Sequence, residues 1–264
     1  MGNKAASGGS AEIPIPRKFS NEDQRCEILF IRHGERADKH LEENGKPIEF
    51  MDDAHLTQIG IQQAKETGLF LKSYIEENKF EEVILESSPF LRVMMTAAQI
   101  AKQLSIPKIT VSYNHREIMH PSCFSGQDPI PNLLFINKDK DYLVQNYLVG
   151  VDFQETDESK ALDRTTPNKM YPESEQQCHN RVQNTIHQFC KYTKELQPQR
   201  RVLKVVITHF HPVWLAAQIL GGRQGEMTYC CISGIRIYNG KLKKLVFDCD
   251  DRHVKTKTKT RWHD

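Results

Sequence analysis

The chain has 264 residues, 38% of them hydrophobic and 27% charged, and a formal net charge of +2. That length can bury a full core in one large domain, and the even charge balance argues against a dedicated nucleic-acid binder, which carries a marked basic excess. No apolar run is long enough to span a bilayer and no secretory signal is evident; seven scattered cysteines without metal-ligand spacing suit reduced thiols in a cytoplasmic protein.

Residues 1–22, rich in Gly, Ser, Ala and Pro, read as a flexible leader. The run 27–31 is the first predicted strand. A helix is expected over 57–78, with Thr57 as N-cap and Ile61, Ala64, Leu71 and Ile75 on its apolar face. Val83-Ile84-Leu85 is a second strand, followed by a helix over 89–104 with Pro89 suited to its first position. Residues 109–113 form a third strand. Periodicity then fails over 121–171, which reads as an irregular insertion with some helix, arching over the site. A helix over 173–196 presents Val182, Ile186, Phe189 and Leu196 at helical spacing, more suited to core than to ligand contact. A fourth strand covers 202–207, a helix 212–220 ends at Gly221-Gly222, and strands at 231–238 and 241–247 flank a hairpin turn at Asn239-Gly240. Alternating strands and helices imply an α/β fold with a largely parallel sheet, placed in a domain of residues 23–250 with a basic tail at 251–264.

The polar residues at the strand ends carry the chemistry. The first strand delivers Arg32-His33-Gly34-Glu35 and the second Ser87-Ser88-Pro89, with Arg92 in the first turn of the next helix. The third leads to His115-Arg116-Glu117, and the fourth to Thr208-His209. In parallel sheets, ligands collect at the carboxyl ends of the strands. Arginine forks and a helix N-terminus suit phosphate oxygens, and histidine can act as a nucleophile near neutral pH. Two arginines, two histidines and a glutamate at one edge suit phosphoryl transfer without a metal; no cofactor is expected.

The chain resembles the histidine phosphatase superfamily, also called phosphoglycerate mutase-like. The likeness runs through Arg32-His33-Gly34, Leu56-Thr57-x-x-Gly60-x-x-Gln63-Ala64, Ser88-Pro89-x-x-Arg92-x-x-x-Thr96-Ala97 and Thr208-His209, and covers about residues 26–247. The run Arg32-His33-Gly34-Glu35-Arg36-Ala37-Asp38 is most similar to the phosphatase domain of the suppressor of T-cell receptor signalling type. The resemblance implies a three-layer α/β/α fold with a mainly parallel central sheet. It implies that His33 is the nucleophile, that Arg32, Arg92 and His209 cradle the phosphoryl oxygens, and that Arg36 adds a further phosphate contact. Glu117 is the implied proton donor, which calls for a carboxyl pKa raised by burial or neighbours. Glu35, Asp38, His115 and His120 are alternative donors, and a salt bridge with Glu35 or Asp38 is the alternative for Arg36. His211 departs from relatives, which commonly carry small residues just after the second histidine. The expected function is a metal-independent phosphatase acting on a phosphoprotein or small phosphate ester through a phosphohistidine. The alternatives are mutase or sugar bisphosphatase activity, or a catalytically weak phosphate-binding scaffold.

The start, Met1-Gly2-Asn3-Lys4-Ala5-Ala6-Ser7, approaches an N-myristoylation signal, departing from it at Ala6, where Ser or Thr is usual. One acyl chain holds a membrane only marginally, so Lys255, Lys257 and Lys259 of the tail are the candidate second signal for peripheral membrane contact, against the plainer reading of a solvated tail.

Overall fold

The computed structural model describes residues 25–39, 47–161, 170–196, 200–222 and 227–258. The leader, Gly2, Lys259 and the 162–169 part of the insertion lie outside the described residues. Seven strands form one sheet in the order β4-β3-β2-β5-β1-β6-β7. They are β1 (Cys26–Arg32), β2 (Glu82–Ser87), β3 (Lys108–Val111), β4 (Asp152–Glu155), β5 (Val202–Thr208), β6 (Ile232–Tyr238) and β7 (Lys241–Asp250). The five strands from β4 to β1 run parallel, whereas β6 is antiparallel to both its neighbours.

Long helices cover both faces: α1 (Gln58–Asn78) and α2 (Leu91–Leu104) on one, α6 (Glu175–Glu195) and α7 (Phe210–Gln218) on the other. The period of two along β1 decides the partners. Leu29 and Ile31 pack with α1 and α2, while Ile28 and Phe30 pack against Val182, Ile186 and Phe189 of α6 and Val213 of α7. The expected three-layer α/β/α architecture is what forms. No helix among the described residues is long and apolar enough to cross a membrane.

Three boundaries differ from the sequence reading. The insertion contains short helices α3 (Leu134–Asn137), α4 (Lys140–Asn146) and α5 (Asp157–Lys160), and it also contributes edge strand β4. Only Phe153 of that strand is buried, so no hydrophobic alternation announces it. Pairing with β3 and the ion pairs of Asp152 with Lys108 (3.4 Å) and Lys140 (2.6 Å) accompany it. Helix α2 starts at Leu91 rather than Pro89, where the Leu91 N–H donates to buried Asp53 (2.7 Å). Helix α7 starts at Phe210 rather than Pro212, because a proline in the first turn removes an N–H that has no intrahelical acceptor anyway.

The tail does not stand away from the domain. The Lys255 and Thr256 N–H groups donate to Glu66 of α1 (2.7 and 3.0 Å), Lys257 pairs with Asp251 (3.0 Å), and the Thr258 hydroxyl reaches Glu35.

Candidate active site

Sheet register assembles the strand ends. Arg32 on β1 is paired with Thr208 on β5, and Ser87 on β2 with Ile207. The chain leaves each strand in step: His33 N–H donates to Thr208 O (3.0 Å) and Ser88 N–H to Ile207 O (3.1 Å). His33, His209, Ser88 and Arg92 therefore meet at the carboxyl edge, and all four are buried. The histidine rings stand edge to face with centroids 5.4 Å apart.

The motif spacings have a steric origin. Gly34 packs so closely on Gly60 of α1 that a Cβ at Gly34 would lie 2.5 Å from Gly60 O, and one at Gly60 would lie 2.3 Å from Glu35 O. Thr57 caps α1 by accepting from Gly60 N–H (2.9 Å) and donates to the Glu35 carboxylate (2.7 Å). Gln63 accepts from Glu35 N–H (2.9 Å), and Thr96 of α2 accepts from Gly34 N–H (3.1 Å). The Thr-x-x-Gly-x-x-Gln segment and Thr96 are thus the mould for the turn after His33.

That turn sets the imidazole. Nδ1 of His33 sits 2.8 Å from Gly34 O and must donate to it, which leaves Nε2 with its lone pair free to attack. Burial, Arg92 and Arg32 drive the His33 pKa well below the ordinary histidine value, so the ring is neutral at pH 7. His209 is likewise held neutral by burial and Arg92. Its Nδ1 accepts from Arg92 Nη2 (3.4 Å), so Nε2 carries the hydrogen and donates to Ser88 Oγ (2.9 Å).

Arg92 is fully buried at the start of α2, donates to Asp52 O (3.0 Å) and lies over the Phe90 ring at 4.8 Å. Burial and nearby Arg36 lower it to about 10, still charged at neutral pH. Arg32 donates to Met227 O (2.6 Å), with its guanidinium 4.6 Å from the Tyr229 ring centroid and 5.3 Å from that of Phe210. Arg36 lies close enough for its charge to act on His33, Arg92 and His209, but its Nε is engaged by Asp38 at 2.6 Å. It belongs to the site's positive field, and the salt-bridge alternative is also real.

Glu117 is where the sequence reading needs correction. The expectation was a raised carboxyl pKa. Burial does push that way, but the His211 contact and backbone N–H donors outweigh it and hold the group below the usual carboxylate range. Oε1 accepts from Ile118 N–H (2.9 Å) and His211 N–H (3.2 Å), and Oε2 from Phe210 N–H (3.2 Å). The carboxylate sits on the N-terminus of α7, the positive end of a helix. Of the alternative donors, His115 is paired with Glu86 (2.6 Å), Asp38 with Arg36, and Glu35 with Thr57 and Thr258; His120 is exposed, with Nδ1 2.7 Å from the Ser122 hydroxyl.

One positioning residue was missed. Arg181, on the buried face of α6, donates to the carbonyls of Asn114 (2.8 Å), Arg116 (2.9 Å) and Glu117 (3.2 Å), and its guanidinium is paired with Glu173 (2.8 Å). It holds the whole Glu117 loop. A lone arginine in a helical pattern gives no local signal of such a role. Among the described residues, no group of three or more His, Cys, Asp or Glu is arranged to hold a metal ion.

Residues 28–123 match the Histidine phosphatase superfamily (branch 1). No curated protein matches the chain. Among solved structures, a phosphoglycerate mutase from Bacillus anthracis is similar at 16% identity, covering 89% of this chain and 98% of its own, with a TM-score of 0.55. An ecdysone phosphate phosphatase from Bombix mori is similar at 15% identity over 79% and 88% of the two chains, with a TM-score of 0.48. A phosphoserine phosphatase mutant from Entamoeba histolytica is similar at 19% identity over 87% and 99%, with a TM-score of 0.47. The segment that carries His33, Arg92 and Glu117 is thus similar to the histidine phosphatase superfamily, branch 1, and the sheet and helices share the fold of a phosphoglycerate mutase.

Proposed function

We propose that the protein is a phosphatase that hydrolyses phosphomonoesters through a phosphohistidine on His33 Nε2, without needing a metal. The observation that carries this reading is the His33 ring itself: neutral, fixed by Gly34 O with Nε2 unencumbered, and surrounded by arginine charge. A neutral imidazole attacks phosphorus, while Arg32, Arg92 and the field of Arg36 stabilise charge on the phosphoryl oxygens. Preorganised electrostatics of this kind supplies most of the catalysis in phosphoryl transfer. Water then attacks the phosphohistidine and regenerates the ring.

Hydrolysis is favoured over mutase chemistry by the residues around the pocket. Arg36 pairs with Asp38 at the place where mutases of the family keep a Ser and Trp-Asn pattern, and Phe210-His211 stands where they keep Gly-Asn. The leaving group would face a cavity of about 670 Å³ lined by Ile118, His120, Cys123, Pro172 and His211. Peripheral membrane contact through Gly2 remains part of this reading, but Lys257 is paired with Asp251, and at Lys255 the backbone N–H is held by Glu66 of α1.

The test is hydrolysis of p-nitrophenyl phosphate in the presence of chelator, wild type beside His33→Ala. Turnover that His33→Ala abolishes, with acid-labile phosphate on the protein after a quench, is the expected result. Wild-type turnover no greater than that of the variant would overturn the reading. Vanadate, a mimic of the pentacoordinate phosphoryl centre, should inhibit; insensitivity would count against the pocket.

A further inference from the structure

The acid of this site poses a problem that the family resemblance does not solve. A general acid must carry a proton before it can give one, yet Glu117 receives three backbone N–H groups from Ile118, Phe210 and His211. Each of those favours the ionised carboxylate. A proton has to reside nearby instead. The nearest basic atom is Nδ1 of His211, 3.3 Å from Glu117 Oε1, within ion-pair range but off the line of a good hydrogen bond. Its position is built in: His211 is the second residue of α7, so its own N–H and its ring approach the same carboxylate. The ring is packed against Phe210 (5.3 Å) and Trp214 (6.5 Å), and it lines the cavity into which the leaving group would project.

We infer that His211 stores the proton used by this site and delivers it through Glu117 to the leaving oxygen, so that the working acid is a Glu117–His211 pair. This rests on the phosphatase reading and assigns to one residue of this chain a role that Glu117 alone was expected to fill. In the first step the bond from His33 Nε2 to phosphorus forms and the bond from phosphorus to the ester oxygen breaks. That oxygen takes a proton from Glu117, which is refilled from His211 Nδ1–H, leaving His211 neutral and the alcohol free. In the second step water adds hydroxide to phosphorus while the bond from phosphorus to His33 Nε2 breaks, releasing phosphate and free His33. The water's other proton returns through Glu117 to His211, restoring the starting state.

The electrostatic surroundings agree. Burial lowers the His211 pKa, but Glu117 and Glu175 at the start of α6 outweigh that and Arg32, leaving it above the ordinary histidine value. His120, Cys123 and Glu173 are the other titratable groups around the same cavity. This arrangement favours the charged form of His211 beside Glu117, while His33 and His209 are held neutral.

His211 acts through Glu117 and is a positioning and proton-supplying residue, so its test must read the proton. We would compare kcat/KM for phenyl phosphate, whose phenol has a pKa of about 10, with that for p-nitrophenyl phosphate, whose leaving group departs with little help. In His211→Asn the phenyl-to-nitrophenyl ratio should fall about 10- to 100-fold, since general acid catalysis is worth roughly 10² or more. The basic limb of the phenyl phosphate pH profile should also move. A ratio within twofold of wild type, with the basic limb unmoved, overturns the inference. So does an equal loss on both substrates, which marks a structural role. Independently of turnover, NMR titration should show the His211 pKa falling in Glu117→Gln; no change overturns the pairing. Absence of wild-type activity would instead sink the phosphatase reading, while the titration still reports on the pair.

Discussion

Replacing Gly60 with alanine separates two physical expectations of opposite sign. Gly60 is the third residue of α1, and in a helix alanine is favoured over glycine by about 1 kcal/mol. On propensity alone the variant should be more stable. Yet the new Cβ would lie 2.3 Å from Glu35 O, 2.7 Å from Glu35 N and 3.0 Å from Glu35 C, all backbone atoms without a rotamer to turn away. Overpacking of this kind costs about 1–3 kcal/mol, so we expect a net destabilisation of up to about 2 kcal/mol. At about 2–4 °C per kcal/mol for a domain of this size, the melting temperature should fall by up to about 8 °C. The backbone that must yield is the turn after His33, whose Gly34 O fixes the imidazole. A displacement near 1 Å in such a site costs on the order of 10²-fold, so kcat/KM on p-nitrophenyl phosphate should drop by at least about tenfold. A melt and a steady-state assay suffice. A melting temperature at or above wild type with kcat/KM within twofold would refute the steric account of the motif.

Arg181→Ala removes three carbonyl contacts and one partner of buried Glu173, a loss of about 3–5 kcal/mol for a broken buried pair. Arg181→Lys should fail to restore it, because a single ammonium cannot reproduce the fork; full rescue in a chemical melt would be the contrary result. Ser88→Ala deprives the His209 Nε2–H of its acceptor at a cost of about 1–3 kcal/mol, and should lower kcat more than stability alone explains. The pH dependence has a definite sign. His33 and His209 are buried with folded pKa values well below 6.5, so below about pH 6.5 the unfolded chain binds the more protons. Stability should therefore be full above pH 6.5 and decline as the pH falls toward the folded values, as a pH series of melts would show. The same neutral His33 predicts that kcat/KM loses no activity at an apparent pKa near 6.5; an acid limb there would contradict it.

Much of the site could be read in the sequence because its parts lie at strand ends, where a few local letters coincide with a definite place in space. Arg32-His33-Gly34, Ser88, Arg92 and Thr208-His209 are of this kind, and parallel register brings them together. The protonation of Glu117 was not legible. It depends on where α7 begins, and Pro212 suggested a start two residues later than the real one. Strand β4 escaped because pairing and ion pairs, not apolar alternation, make it a strand. Arg181 looked like one polar residue among many, since its three acceptors lie 64 to 67 positions away.

The amino-acid sequence by itself determined the α/β layering and which polar residues stand at the strand ends. Hydrophobic periodicity and turn chemistry act over a few residues and need no distant partner. Only the tertiary structure decided the ionisation states. His33 is neutral because the fold buries it and sets Arg92 and Arg32 beside it, and Glu117 is ionised because His211 and the N–H groups of another helix end outweigh its burial. Burial and charge are summed over whatever the fold brings near, so a proton's location belongs to the assembled molecule and not to any stretch of its chain.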